Sequence, residues 1–111
     1  MKLPTDSVIA RDKVFRYLLV FRAKGDKSKL LARAGYDLSN GEQLIEDLRT
    51  QILPLDATAL ERTEHGQFYE IRGSLTGPNG HTIRILAIWM TEHLSGVTKF
   101  ITLMPDKLRR S

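Results

Sequence analysis

Before Pro54 the apolar positions recur at helical spacing, and after it they alternate. In Asp12–Leu19, Val14, Tyr17 and Leu18 share one helical face. Ser28 to Ala34 reads as a short second helix ended by Gly35, which takes a left-handed C-terminal position without Cβ strain. The third helix is the clearest. Ser39 or Asn40 can cap it, Glu42 favours the dipole of its first turn, Leu44, Ile45, Leu48 and Ile52 form its apolar stripe, and Pro54 stops it. Four strands follow, separated by His65-Gly66, by Gly77-Pro78-Asn79-Gly80 and by a looser connection from Glu92 to Gly96.

The turn at Pro78-Asn79-Gly80 fixes a register. A three-residue loop with a glycine bulge sets Leu75 opposite Ile83, Ile71 opposite Ala87 and Tyr69 opposite Trp89. Continued across the last loop, the same ladder sets Ala87 opposite Ile101 and Ile85 opposite Leu103. One face then carries Leu60, Tyr69, Ile71, Leu75, Ile83, Ile85, Ala87, Trp89, Val97, Ile101 and Leu103, a core face for the helices to cover. The other carries Glu61, Thr63, Phe68, Glu70, Arg72, Arg84, Leu86, Ile88, Met90, Thr98, Phe100 and Thr102. The expected fold is α+β, with about three N-terminal helices packed on one face of a four-stranded antiparallel meander. It reads as a single domain over 1–111, with helices at about 10–53 and the sheet at about 57–104.

Composition narrows the function without naming it. The 111 residues are 41% hydrophobic and 27% charged, in the range of a chain that buries one core. Without cysteine there is no disulfide, thiolate metal site or cysteine nucleophile. The start, Met1 to Asp6, turns polar before an apolar run develops, and Tyr17–Phe21 is too short to span a bilayer, so the expectation is a cytoplasmic protein with no membrane contact. The net charge of +4 is compatible with a polyanionic partner, but part of it lies in Lys107, Arg109 and Arg110, as expected of a solvated end.

The mixed sheet face holds the candidate chemistry. Phosphodiester cleavage of RNA needs a base, an acid and cations for the developing charge. Glu70 or His65 could move protons, Lys27, Arg72 and Arg84 could bind phosphate, Thr98 and Thr102 could add hydroxyl bonds, and Phe68 or Phe100 could stack a base. The same Glu70, Arg72 and Arg84 equally describe a cross-strand ion-pair group. His65, His81 and His93 fall in turns or loops without convergent spacing, so neither a metal nor a cofactor is called for.

Lys2-Leu3-Pro4, Lys27-Ser28-Lys29-Leu30-Leu31 with Gly35-Tyr36, Thr63 with His65-Gly66 and Tyr69, Gly77-Pro78-Asn79-Gly80, Ile88-Trp89 and Phe100-Ile101-Thr102 with Pro105 form a pattern spread along the chain. Over about Lys2 to Pro105 it resembles an uncharacterised bacterial domain family, found as small stand-alone proteins and as modules of polymorphic-toxin-type proteins. The layout is more distantly similar to the barnase, EndoU, colicin D and RelE ribonuclease group. That similarity implies Lys27 as the basic residue before the sheet, Arg84 as the strand arginine, Thr102 as the last-strand hydroxyl and His65 as the histidine. The chain departs from that group in placing no histidine within a strand.

Two readings follow. The first is a protein-interaction or self-association module of a toxin-related system, with Phe68, Leu86, Ile88, Met90 and Phe100 meeting a protein partner or a second copy. The alternative is a metal-independent endoribonuclease, with His65, Glu70, Arg84 and Thr102 as catalytic candidates and Lys27, Arg72 and Phe100 as RNA contacts.

Overall fold

A computed structural model describes residues 1–20 and 27–107. Most of the basic connection from Arg22 to Lys27, together with Arg109 and Arg110, lies outside the described residues. The architecture is α+β, with short helices preceding a four-stranded antiparallel sheet in chain order. Helix α1 is a turn at Arg11–Lys13 continued by a π-helical turn at Val14–Leu18. Helix α2 is Ser28–Ala32, and helix α3 is Gly41–Asp47, extended by a π-helical turn at Leu48–Ile52. The strands are β1 (Thr58–Arg62), β2 (Gly66–Thr76), β3 (Thr82–Glu92) and β4 (Thr98–Pro105), in the order β1-β2-β3-β4.

The third helix starts differently from the sequence expectation. Asn40 holds the N-cap position of α3, but its side chain makes no capping bond there. Asp37 instead caps a preceding 3-10 turn at Leu38–Asn40, and the Asn40 side chain accepts from the Asp37 backbone N–H in return. At the second helix Gly35 has φ +93°, as its C-terminal role requires. The β2–β3 turn docks against that end. Asn79 donates from its side chain to the Arg33 carbonyl and from its backbone to Ala34, giving the last helical carbonyls partners.

The β2–β3 register is the expected one, with Leu75 opposite Ile83, Ile71 opposite Ala87 and Tyr69 opposite Trp89. Gly80, at φ +87°, completes the three-residue turn closed by the Gly77 N–H on the His81 carbonyl. The β3–β4 register departs from expectation. Ala87 faces Leu103 in place of Ile101, and Ile85 faces Pro105 in place of Leu103. A β-bulge causes the shift: Ile88 pairs with Thr102 and Trp89 with Phe100, leaving Ile101 as the extra residue. A bulge restarts the alternation, so Phe100 turns to the core and Lys99 to the open face.

The core joins the inner sheet residues Ile71, Leu75, Ile83, Ile85, Ala87, Trp89, Phe100 and Leu103 to Leu18, Leu31, Leu44, Leu48 and Ile52 from the helices. Leu60 and Val97, expected inside, are exposed at the sheet margins. Residues 1–9, which the hydrophobic pattern assigns to no element, act as a strap. Leu3, Ser7 and Ile9 are buried, and Arg49 of α3 donates to the Thr5 and Ser7 carbonyls. Val8 makes a parallel bridge to the outer edge of β4, donating to the Thr98 carbonyl and accepting from the Phe100 N–H, both at 2.8 Å.

A buried polar contact ties the helices together. Tyr36 Oη donates to Asp47 Oδ2 at 2.5 Å, and Gln43 donates to the other carboxylate oxygen. Burial first, then the bond to Asp47, pushes the Tyr36 hydroxyl far above its ordinary range, so it stays protonated.

Candidate functional site

The open face of the sheet is ordered in rows across β2, β3 and β4. Phe68, Met90 and Lys99 form the first, Glu70, Ile88 and Thr102 the second, and Arg72, Leu86 and Met104 the third. A fourth contains Ser74 and Arg84, with Asp106 just beyond β4 bonding through its backbone N–H to the Arg84 carbonyl at 3.1 Å. These side chains alternate with the core residues on each strand, so the buried face fixes which ones point outward. Phe68, Leu86, Ile88 and Met104 stay outside the core cluster and partly exposed, whereas Met90 is buried.

The two ends of this face differ in character. The end beside the β1–β2 loop is apolar and grooved. Phe68, Met90 and Ile101 line a cavity of about 440 Å³ with Val8 and Ala10, while Lys13, Lys99 and the exposed His65 stand among its lining groups. Lys99 also pairs with Glu92 at 2.6 Å, and that ammonium is the main reason the Glu92 carboxyl sits below its ordinary range.

The opposite end is a charged network. Arg72 Nε donates to Glu70 Oε2 at 3.0 Å and Arg72 Nη1 to Asp106 Oδ1 at 2.5 Å. Arg84 Nη2 donates to Asp106 Oδ2 at 3.3 Å, and Arg84 Nη1 to Ser74 Oγ at 3.1 Å. The Asp106 side chain is only 6% exposed, against 34% for Arg72 and 60% for Arg84. Asp106 is the residue that sequence reasoning missed. It lies past the last strand, where neither periodicity nor a motif marks it. The one available signal was a carboxylate just past the strand that runs beside the strand of Arg84.

The structure brings Glu70, Arg72 and Arg84 into one network and leaves the other ribonuclease candidates elsewhere. His65 sits in the β1–β2 loop, its ring 3.6 Å from Glu64. From His65 to the row of Ser74 and Arg84 is about 30 Å along the strand at ~3.3 Å per residue, far beyond one phosphate's reach. Thr102 shares the Glu70 row but with Ile88 between them, and its hydroxyl donates to the Leu103 carbonyl. Lys27 immediately precedes α2, whose Leu30 and Leu31 pack in the core against the other sheet face. Phe100 is a correction. It is 1% exposed, with its ring edge-to-face on Trp89 at 5.3 Å, because the bulge at Ile101 turned it inward, and it offers no surface for a base. Thr98 is buried for the same reason. His81 and His93 stand in separate loops, and among the described residues no three His, Asp or Glu side chains converge as metal ligands.

A family model described as a domain of unknown function (DUF6883) matches residues 2–107. The chain belongs to the DUF6883 family. This DUF6883 chain has no match among the curated proteins. A chain in a solved structure described as a contact-dependent growth inhibition toxin–immunity protein complex from Klebsiella pneumoniae 342 is similar to it. The likeness has a TM-score of 0.59 at 20% identity, over 90% of this chain and 100% of that one. At that identity it shows a shared fold. The resemblance to a ribonuclease group draws no support from either comparison. No helix among the described residues of this DUF6883 domain is long and apolar enough to cross a membrane.

Proposed function

We propose that this domain is a protein-interaction module of a toxin-related system, and that its partner protein seats on the open face of the sheet. The observation that carries this reading is the block formed by Phe68, Leu86, Ile88 and Met90. These apolar side chains stand in adjacent rows of paired strands, and Phe68, Leu86 and Ile88 stay partly exposed around Met90, which is buried. A contiguous apolar surface on a rigid sheet is the kind of centre from which interfaces draw their binding energy. The groove beside Phe68 and Met90 offers a pocket for an anchoring side chain, and Lys13 at its margin favours an acidic neighbour to that anchor. The fold shared with a chain of a toxin–immunity complex supports the same reading.

The test is to purify the full chain with the protein encoded beside it and measure the complex by light scattering and calorimetry. Ile88→Asp should weaken the complex at least tenfold while the melting temperature of the free domain stays close to the parent's. An unchanged affinity would overturn the assignment of this face. A parent that forms twofold dimers, separated by the same substitution, would identify a second copy of the chain as the occupant in place of another protein. RNA incubated with the parent protein and chelator should stay intact, since His65 and Arg84 stand at opposite ends of the hairpin. Cleavage abolished by Arg84→Ala would favour the nuclease reading instead.

A further inference from the structure

We infer that Arg72 and Arg84 form an oxyanion site for a phosphate-bearing ligand, and that in this structure the carboxylate of Asp106 occupies and closes it. The inference does not depend on the partner-binding reading, because it uses the side chains of Arg72, Arg84 and Asp106 and none of the apolar side chains.

The two arginines stand on neighbouring strands of one sheet face, where like charges repel unless an anion lies between them. Asp106 supplies that anion and divides its two oxygens, Oδ1 to Arg72 and Oδ2 to Arg84. This is the bridging arrangement that a phosphate makes with two guanidinium groups, with more oxygens and more charge available. Ser74 Oγ, already 3.1 Å from Arg84, lies within the same network and adds a hydroxyl donor for a further oxygen. Glu70 holds Arg72 through Nε, which leaves the outer guanidinium nitrogens to face the anion. Among the described residues Arg72 and Arg84 balance Glu70 and Asp106, so Asp106 leaving makes this group more positive by one charge.

The occupant is placed to leave. Asp106 follows the last residue of β4, and its backbone bond to the Arg84 carbonyl is the final rung of the ladder. Sheet ends open at far lower cost than sheet centres. Opening there exposes both guanidinium groups without disturbing Trp89, Leu103 or the core. A phosphate-bearing ligand therefore competes with a tethered carboxylate, and its affinity is set by how firmly Asp106 is held.

Inorganic phosphate titrated into the full chain at constant ionic strength, with the Nε–Hε resonances of Arg72 and Arg84 followed by NMR, tests the site. Asp106→Asn should bind phosphate at least tenfold more tightly than the parent, and Arg84→Ala added to it should remove that gain. Asp106→Ser provides a second variant should the amide side chain disturb folding, and melting curves establish that each variant is folded. Equal affinity in parent and both Asp106 variants, or a gain that survives Arg84→Ala, would overturn the inference. An oligoribonucleotide without terminal phosphate then separates the sources. Competition at the same two resonances supports a phosphodiester ligand, and its failure beside a phosphate response supports a monoester or free phosphate.

Discussion

The two faces of the sheet are made by the same three strands, yet they answer to different constraints. On the inner face Trp89, Phe100, Ile71 and Leu103 are enclosed by helices, and each has one place to go. On the outer face Ile88, Leu86 and Phe68 have strand neighbours of their own but no helical layer in the core. Burial specifies the inner side chains. The outer ones answer to what they meet on the surface, as the two arginines meet Asp106. Substitutions in the first set therefore act on stability, whereas most of those in the second leave the packing of the core unchanged.

The sharpest way to break that contrast is to truncate neighbours on β3 that point in opposite directions. Trp89→Ala should cost about 3–5 kcal/mol in denaturant unfolding, a large share of the stability of a chain this size. Ile88→Ala, one residue away, should cost about 1 kcal/mol or less. Comparable losses would show that the outer face is covered in the free protein. A milder intervention asks what assigns residues to faces. Deleting Ile101 removes the bulge but keeps Phe100 opposite Trp89 and Thr102 opposite Ile88, so the chain should fold with a loss of about 1–2 kcal/mol. A collapse of stability or loss of the Trp89 fluorescence environment would show that the bulge itself holds the register. The smallest expected effect lies at the groove. Lys99→Ala should let the Glu92 pKa rise toward the ordinary carboxylate range in an NMR titration. A carboxyl whose folded pKa is depressed stabilises the fold above its unfolded pKa, and that contribution fades as pH falls. The variant should therefore lose less stability on acidification than the parent.

Much of the fold was legible in the sequence because local signals agreed. Pro78, Asn79 and Gly80 set the β2–β3 turn, and that turn fixed which side chains of two long strands face each other. Gly35 and the stripe of Leu44, Leu48 and Ile52 marked the helical layer in the same way. What failed depended on a backbone event with no side-chain signature. The bulge at Ile101 changes the parity of β4, so Phe100 and Thr98 were assigned to the wrong face although β4 was correctly recognised. Asp37 was passed over as a cap because it serves a 3-10 turn ahead of the regular helix. Residues 1–9 carry alternate buried positions at Leu3, Ser7 and Ile9, too few and too mixed in polarity to read as an element. The candidate site was visible as Glu70, Arg72 and Arg84, but the carboxylate that organises the two arginines came from beyond the sheet.

The strap at Val8 has a consequence for polymerisation. A sheet grows into a fibre when each copy presents two open edges, one to receive a neighbour and one to be received. Here the β4 edge is occupied by Val8 at Thr98 and Phe100 and distorted next to them at Ile101. Residues 1–9 thus guard the edge of the sheet where β4 begins, and a neighbour's strand would have to displace Val8 to pair there.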